Sequence, residues 1–326
     1  MVDNIRVKNF KSLRDSKMKG CRRVNLLVGR PNVGKSNLLE ALALFSTPYL
    51  RTDKQSSIQM LVRAEHSTEL FFDGNTSNPI EVTLNNNSCV IIVRNTNGEL
   101  LLRMMKDDKL IGEYMFSNSL MLDRVSVGEG RELGLVSYRY VADVVHSSYG
   151  MSQLLPPSGA NLMEVVKQLP VLKDEANRLM ESYGLKLVFD NASQELKAMK
   201  EQSDEIFLIP FASMADSLQR LLFNKAAILS NHGKVICLEE PETHTFPPYI
   251  ASVVHEIIDS DDNQFFISTQ SPYVVNALVE ALSDDLAIFF VTMTNGETAI
   301  KRASDEDVQE MYDNGVDLFF NLETYL

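Results

Sequence analysis

The same pattern of apolar residues occurs several times along this chain: a continuous apolar run is followed by an apolar stripe at helical spacing. The first run, Val24 to Val28, is followed by a polar, glycine-containing loop and by apolar residues at Leu38, Leu42 and Phe45. A continuous run predicts a buried strand, and a stripe spaced by three or four residues predicts a helix. The segment therefore predicts a strand, a loop and a helix, with the helix ended by Pro48.

The same order recurs in the C-terminal third of the chain. Strands are predicted at Val235–Leu238 and Phe265–Ser268, and the helix after each begins at a proline, Pro247 or Pro272. Strands that alternate with helices imply a mostly parallel sheet. The predicted fold class is therefore α/β, with a mostly parallel core sheet.

Short alternating runs replace this order in the middle of the chain. Residues 80–84, 90–94 and 99–104 alternate apolar and polar positions, and Asn97-Gly98 between the last two is the strongest hairpin signal in the sequence. These runs predict an antiparallel β lobe. A turn at Phe10 to Leu13 is predicted after the first strand.

A helical pattern over Leu162 to Tyr183, followed by two strand-like runs, predicts a helical and strand insertion. We therefore expect one domain over residues 1–326. It comprises an N-terminal lobe of residues 1–148, an arm of residues 149–210 and a C-terminal lobe of residues 211–326.

The loop after the first strand matches the phosphate-binding pattern G-x-x-x-x-G-K-[ST]. Gly29 and Gly34 allow a tight turn whose N–H groups face inward, and Lys35 can reach the outer phosphates. Ser36 would hold Mg²⁺ through its hydroxyl. The predicted nucleotide-binding residues of this segment are Gly29, Arg30, Pro31, Asn32, Val33, Gly34, Lys35, Ser36 and Asn37.

Polar side chains also follow two later strands. Glu239 and Glu240 stand at the end of one, and Gln270 stands just beyond the end of the other. Ligands of parallel sheets bind beyond the carboxyl ends of the strands, so one crevice would receive the phosphate loop, two carboxylates and an amide. We assign Glu239 to the water shell of the metal ion, and Glu240 to the attacking water. The alternatives are a surface loop at Glu239 and an ordinary turn at Gln270.

The helix predicted after Phe211 offers a weaker phosphate site. Ser213 followed by Asp216 resembles a capping box, and the N–H groups from Ser213 to Ser217 at a helix N-terminus would suit a phosphate. His244 could support a residue of the site from behind, contact a partner in a dimer, or simply lie in an exposed turn.

Together these motifs resemble the ABC-type ATPase heads of the OLD, RecF and SMC group, most closely the small OLD-like AAA family ATP-binding proteins of bacteria. The resemblance rests on residues 5–13, on the Walker A segment 29–36 with residues 37–41 after it, on the Walker B segment 237–244 and on residues 268–272. It implies a P-loop NTPase fold of the ABC-head type. It also implies ATP and Mg²⁺ as cofactors.

The resemblance further assigns roles to single residues. Glu239 takes the acidic Walker B position, and Lys35, Glu240 and Gln270 are the catalytic set. Two heads would face each other around ATP as a homodimer or a higher oligomer, with the signature helix of one completing the site of the other. The signature serine is Ser213 or, in a shifted register, the motif falls on Asp216-Ser217. Gln270 stands where His is usual, which favours slow hydrolysis.

Composition narrows the function classes. The formal net charge of −13 disfavours extensive nonspecific nucleic-acid binding, and the dense basic segment from Lys8 to Arg23 is either a local patch or a solvated face. Three cysteines without a C-x-x-C spacing disfavour disulfides and zinc. No apolar run approaches a membrane span and no signal-peptide pattern is present, so we expect a cytoplasmic chain with no membrane partner.

The resemblance implies an ATPase and sensor subunit in bacterial DNA repair or defence against phage. We expect a separately encoded effector, such as a nuclease, because the chain ends too soon after its core to include one; nucleic acid would be contacted directly or through that partner. A module in which ATP clamps an assembly with little turnover is the main alternative. A nucleotide-binding subunit of a transporter fits the motifs less well.

Overall fold

The computed structural model describes residues 1–50, 56–128, 134–142, 144–147, 149–202, 205–314, 318–319 and 321–322. The chain forms two compact units. Residues 1–137, 233–240 and 264–326 make up the first, called here the phosphate-loop unit. Residues 138–232 and 241–263 make up the second, the inserted unit. The three-part division by lobes and arm stays a prediction.

The helices and strands are numbered in chain order. They are β1 Asn4–Phe10, β2 Leu13–Lys19, β3 Val24–Val28, α1 Lys35–Ala43, α2 Thr47–Leu50, β4 Ile80–Leu84, β5 Ser88–Arg94, β6 Leu100–Lys106, β7 Lys109–Phe116, β8 Leu122–Val127, β9 Leu135–Tyr138, α3 Leu162–Gln168, α4 Pro170–Ser182, β10 Lys186–Asp190, β11 Glu195–Gln202, β12 Glu205–Pro210, α5 Asp216–Leu229, β13 Val235–Glu239, α6 Pro247–Asp259, β14 Gln264–Ser268, α7 Pro272–Leu282, β15 Leu286–Thr294, β16 Glu297–Arg302 and α8 Asp305–Asn314. Short 3₁₀ turns lie at Leu44–Ser46, Ile58–Met60, Ser67–Leu70, Phe72–Gly74, Phe211–Ser213 and Ser283–Asp285.

The phosphate-loop unit contains a mixed sheet in the order β16-β15-β3-β14-β13-β9. Strand β3 pairs in parallel with β14 on one side and β15 on the other, and β14 pairs in parallel with β13. Among the described strand pairs of this sheet, only the pair of β15 with β16 is antiparallel. Every residue of β3 is buried, as expected for a continuous apolar run between two neighbours. The prediction of an α/β fold with a mostly parallel sheet is confirmed.

A second sheet in the same unit has the order β2-β1-β4-β5-β6-β7-β8, with every described pair antiparallel. It confirms the predicted β lobe and its hairpin, since Asn97-Gly98 joins β5 to β6 and Gly98 adopts a φ of +86°. The predicted turn at Phe10 to Leu13 connects β1 to β2 in an antiparallel hairpin. The pairing of β1 with β4 joins residues 73 to 79 positions apart, such as Lys8 with Glu81 and Ile5 with Leu84, which no local pattern indicates.

A large hydrophobic cluster of the phosphate-loop unit includes the fully buried Phe10, Phe45, Phe71 and Phe289. Helix α1 packs against β13 and β14 of the mixed sheet and against β1 of the antiparallel sheet. The prediction that Pro48 ends this helical region is wrong. Pro48 lies in the first turn of α2, where a proline leaves no helical hydrogen bond unmade.

The inserted unit pairs helices with a three-stranded antiparallel sheet, in the order β10-β11-β12. Met180 of α4, Ala198 of β11 and Leu218 of α5 form its small apolar cluster. The predicted helix over Leu162 to Tyr183 is divided into α3 and α4 at Pro170. Within the described part of both units, no helix is long and apolar enough to cross a membrane.

Candidate nucleotide site

At two places, the loop between β3 and α1 accommodates only glycine. Gly34 adopts a φ of +101°, and a Cβ there would lie 2.0 Å from Thr298 Oγ1. A Cβ on Gly29 would lie 2.1 Å from the carbonyl oxygen of Val291. The loop thus follows a close path against β15 and β16, and a side chain at either glycine would move it.

Lys35 begins α1 with its ammonium group turned back on the loop. Its Nζ donates to the carbonyl oxygens of Gly29 at 2.8 Å and Arg30 at 2.9 Å, and the residue is only 5% exposed. Ser36 follows in the first turn of α1 and is half-buried. Arg30, Pro31 and Asn32 form the exposed part of the loop. The ammonium and the first N–H groups of α1 therefore share one end of the helix, an arrangement that favours phosphate.

A network of hydroxyl groups supports the loop from behind. Thr298 Oγ1 donates to the carbonyl of Val33 at 2.9 Å and lies 2.6 Å from Ser12 Oγ. Asn37 Nδ2 donates to Ser12 Oγ at 2.7 Å. Sequence reasoning missed Ser12 and Thr298, although Ser12 belongs to the opening segment on which the resemblance rests. Asn37, predicted to bind the nucleotide, contributes here to bracing the loop.

The predicted carboxylates and amide converge at the neighbouring strand ends. Glu239 pairs with Ser268 in the β13–β14 register, and the N–H of Glu240 donates to the carbonyl of Ser268 at 3.0 Å. Gln270 Nε2 donates to Glu240 Oε1 at 2.5 Å. Since β14 lies between β13 and β3, these side chains occupy the carboxyl edge from which the phosphate loop leaves.

The backbone of Glu240 is strained. Its φ of +40° lies in the left-handed region, which costs a non-glycine residue about 1 kcal/mol or more. Residues in such conformations cluster at active sites, where surrounding contacts hold them in place. The hydrogen bonds to Ser268 and Gln270 are contacts of that kind.

Arg63, a residue that sequence reasoning missed, contacts the Walker B carboxylate. Its Nη1 and Nη2 donate to the two oxygens of Glu239 at 2.8 and 2.5 Å. Its Nη1 also lies 3.6 Å from Glu40 Oε1, and Glu40 is in turn paired with Lys11. Partial burial lowers the pKa of Arg63, but the hydrogen bond and charge of Glu239 with the charges of Glu40 and Glu240 raise it more.

The basic segment from Lys8 to Arg23 is largely neutralised. Lys11 is only 12% exposed beside Glu40, so it is no free surface charge. The other described ion pairs of this segment are Lys8–Glu81, Arg14–Glu297, Arg22–Asp305 and Arg23–Asp285. These pairs favour the interpretation of a structural, solvated face over that of a nucleic-acid footprint.

The signature candidates lie in the inserted unit, whereas the phosphate loop and the carboxylates lie in the other unit. The predicted capping box is wrong: Ser213 closes a 3₁₀ turn, and α5 begins at Asp216, with Ala215 at the N-cap and no side-chain cap. The Asp216 carboxylate instead accepts from Arg220 Nε at 2.9 Å and lies 3.2 Å from Nδ1 of the exposed His244. Ser217 occupies the next position of α5. The binding roles of Ser213, Asp216 and Ser217 stay predictions.

Hard oxygen donors are available for a magnesium ion. Among the described residues, no group of three or more His, Cys, Asp or Glu side chains could hold a metal unaided. Mg²⁺ keeps several waters and takes one or two protein ligands together with substrate phosphates, so a hydroxyl and a carboxylate suffice. Ser36 and Glu239 fit this role, and the glycine-restricted loop with Lys35 fits the phosphates of ATP.

Strand, glycine-restricted loop and buried lysine at a helix start define a phosphate-binding-loop protein of the α/β class. The family model described as an AAA ATPase domain matches residues 1–231. The chain therefore belongs to the AAA ATPase domain family. This membership confirms the assignment to the AAA-type ATPases that the motifs predict.

Individual proteins are similar to the chain either over a short segment or at low sequence identity. An "ATP/GTP phosphatase" of Helicobacter pylori is 48% identical over 42 residues, which are 13% of this chain and only 11% of that relative. The SMC head domain from Thermotoga maritima is similar in structure, with a TM-score of 0.42 and 13% identity over 93% of this chain and 99% of that one. An Smc head domain with an extended coiled coil, bound to the C-terminal domain of ScpA derived from Pyrococcus furiosus, gives a TM-score of 0.49 and 14% identity, covering 96% and 98%.

Proposed function

We propose that this chain binds ATP with Mg²⁺ at residues 29–36 and hydrolyses the nucleotide slowly, with Glu240 polarising the attacking water. The contact between Gln270 and Glu240, at strand ends adjacent to the phosphate loop, is the main support. A carboxylate in a strained backbone, oriented by an amide, suits a residue that must address one water molecule.

Each residue of the site has a separate task in this proposal. Lys35 and the first N–H groups of α1 bind the phosphates, and Ser36 and Glu239 hold Mg²⁺ through oxygen atoms. The metal ion would neutralise charge on the outer phosphates. Glu240 accepts a hydrogen bond from the water and directs it at the outer phosphate. Gln270 orients Glu240 and cannot itself carry a proton.

A second candidate function is an assembly clamp in which ATP is bound and rarely hydrolysed. The same contact gives it support, because the Gln270 amide already donates to Glu240 Oε1, one of the two carboxylate oxygens that could accept a hydrogen bond from the water molecule. In that case dimerisation would be the output and ATP a structural ligand.

We further propose that two copies face each other around ATP, as a homodimer or within a higher oligomer, with Ser213 or Asp216-Ser217 of one copy completing the site of the other. The chain would act in the cytoplasm as the motor or sensor subunit of a DNA-repair or anti-phage complex. A separately encoded effector such as a nuclease would be its partner. The neutralised basic segment supports nucleic-acid contact through that partner.

Size-exclusion chromatography with light scattering, combined with phosphate release, tests these proposals. We expect the wild-type chain to dimerise with ATP and Mg²⁺ and to release phosphate, and Glu240→Gln to dimerise without release. Glu113→Gln, which alters a surface pair with Arg103, is the matched control and should behave as wild type. Turnover that survives in Glu240→Gln would refute the role of Glu240. Wild-type protein that dimerises with ATP and Mg²⁺ but releases no phosphate would favour the clamp, and an assembly that forms equally without nucleotide would refute it.

A further inference from the structure

The guanidinium of Arg63 engages both oxygens of the carboxylate proposed to hold the metal. The two N–H···O contacts to Glu239 measure 2.8 and 2.5 Å, and the Glu239 side chain is 18% exposed. A two-pronged contact between a guanidinium and a carboxylate is the strongest geometry for such a pair. Glu239 is thus held in one orientation by a positive charge.

Arg63 is itself fixed from two directions. Its guanidinium lies 3.6 Å from Glu40 Oε1, on the helix that follows the phosphate loop. Its carbonyl oxygen accepts a hydrogen bond of 2.7 Å from Lys11 Nζ, and Lys11 also pairs with Glu40. This chain of contacts ties Arg63 to the opening turn and to α1, so its position beside Glu239 is built into the unit.

The charges around Arg63 give the contact a consequence for metal binding. Glu40, Glu239 and Glu240 all act on its guanidinium, and Lys11 pairs with Glu40. Arg63 is therefore a cation that compensates the charge of Glu239 and of the nearby Glu240. A second cation at Glu239 meets both the repulsion of the guanidinium and oxygens that already accept two hydrogen bonds.

We propose that Arg63 competes with Mg²⁺ for Glu239 and thereby sets the Mg²⁺ concentration at which ATP binds tightly. The inference rests on the proposed nucleotide site and adds a regulatory residue to it. When the metal is scarce, the Arg63–Glu239 pair keeps the carboxylates compensated. With Mg²⁺ and ATP present, Glu239 would give up part of its contact with the guanidinium in order to help hold the metal ion.

Calorimetric titration of ATP at a series of Mg²⁺ concentrations, and in EDTA, tests the proposal without relying on turnover. In Arg63→Gln, we expect the Mg²⁺ concentration for half-maximal tightening of ATP binding to fall on the order of tenfold, since one unit of opposing charge is removed. Arg63→Lys keeps the positive charge but loses the two-pronged contact with Glu239. The Mg²⁺ concentration for half-maximal tightening should therefore fall less, about threefold.

The matched control is Arg6→Gln. Arg6 makes the same two-pronged contact, with Asp15, and its side chain is 42% exposed against 46% for Arg63. Its Mg²⁺ requirement should equal that of wild type. Thermal unfolding without nucleotide checks that each variant folds, and Arg63→Lys carries the test if Arg63→Gln does not.

Three results separate the outcomes. An unchanged or higher Mg²⁺ requirement in the folded Arg63 variants overturns the proposal. ATP binding that weakens equally in EDTA also overturns it, because Arg63 would then contact the nucleotide itself. Wild-type protein that binds no ATP under any condition would instead refute the nucleotide site, and with it the proposed function.

Discussion

Gln270 donates its side-chain amide to the carboxylate of Glu240 across 2.5 Å, beyond the ends of the adjacent strands β14 and β13. A side-chain amide donates and accepts hydrogen bonds, but it neither gains nor loses a proton near neutral pH. Gln270 can therefore orient Glu240 while leaving all acid–base chemistry to the carboxylate. This limitation gives the site a testable pH behaviour.

Replacing Gln270 by His should introduce a titrating group beside Glu240. Imidazolium would place positive charge near the transferred phosphoryl group, so we expect turnover to exceed wild type several-fold in mildly acidic solution. The difference should shrink as pH rises through the imidazole pKa of about 6.5. Phosphate release measured across this range checks the prediction. Gln270→Asn is the non-titrating control, and a profile of Gln270→His parallel to that control would contradict it.

Gly34→Ala should destabilise the phosphate loop strongly. The added Cβ would lie 2.0 Å from Thr298 Oγ1 and 2.8 Å from Ser12 Oγ, at a φ of +101°. We expect a loss of roughly 3 kcal/mol in the free energy of unfolding, together with loss of ATP binding.

Gly296→Ala is the matched control for this change. Gly296 also has a positive φ, +80°, but an added Cβ would meet nothing within 4 Å. Its loss should be only about 1 kcal/mol, from the backbone conformation alone. Urea unfolding measures both variants, and equal losses would show that the crowding at Gly34 has no energetic effect.

Thr298→Val should test the network behind the loop. Valine keeps the shape of threonine, but it leaves the Val33 carbonyl and the Ser12 hydroxyl without the contacts they make at 2.9 and 2.6 Å. Because Thr298 is buried, we expect a loss of about 1–3 kcal/mol in unfolding free energy and weaker ATP binding. Thr294→Val, at the exposed end of β15, should change stability by less than about 0.5 kcal/mol. Equal effects in both variants would argue against the brace.

Asp190→Asn should alter the acid dependence of the inserted unit. The hydrogen bond from Lys197 Nζ at 2.6 Å, and then that from the N–H of Ala192 at 2.9 Å, hold the pKa of Asp190 well below its ordinary value. A lowered carboxyl pKa stabilises the fold above the unfolded-chain pKa of about 3.9, and the stabilisation is lost as pH falls through the folded value.

The variant should therefore be less stable than wild type at neutral pH, and the difference should diminish in acid. Urea unfolding at neutral and acidic pH measures this difference. The control is Asp261→Asn, at an exposed turn of the same unit. A difference between Asp190→Asn and wild type that does not change with pH would rule out the ionised carboxylate as its cause.

The sequence indicated those parts of the site that depend on local patterns. The phosphate loop follows from glycine spacing after an apolar run, and the convergence of Glu240 and Gln270 follows from their places at parallel strand ends. The Arg63–Glu239 pair joins residues 176 positions apart, and Arg63 follows a 3₁₀ turn and carries no local motif. Such a contact is fixed only by tertiary packing.

Similar reasons account for the differences in the fold. Strand β11 has the sequence ELKAMKEQ, with four charged residues and two buried ones, Leu196 and Ala198, so its apolar signal is weak. The capping pattern at Ser213 has suitable residue types, but the chain makes a 3₁₀ turn before α5 begins. Local propensity was outweighed there by the packing of the surrounding chain.

The place of β3 between β14 and β15 determines when a nascent chain can assemble this site. All strands of the antiparallel sheet lie within residues 4–127, whereas both neighbours of β3 come from residues 264–294. Contacts so distant in sequence are made late, because the intervening chain must be synthesised and the loop closed first. On the ribosome, the phosphate loop would therefore remain without its flanking strands until residues 264–294 have emerged, and nucleotide could be captured only after that point.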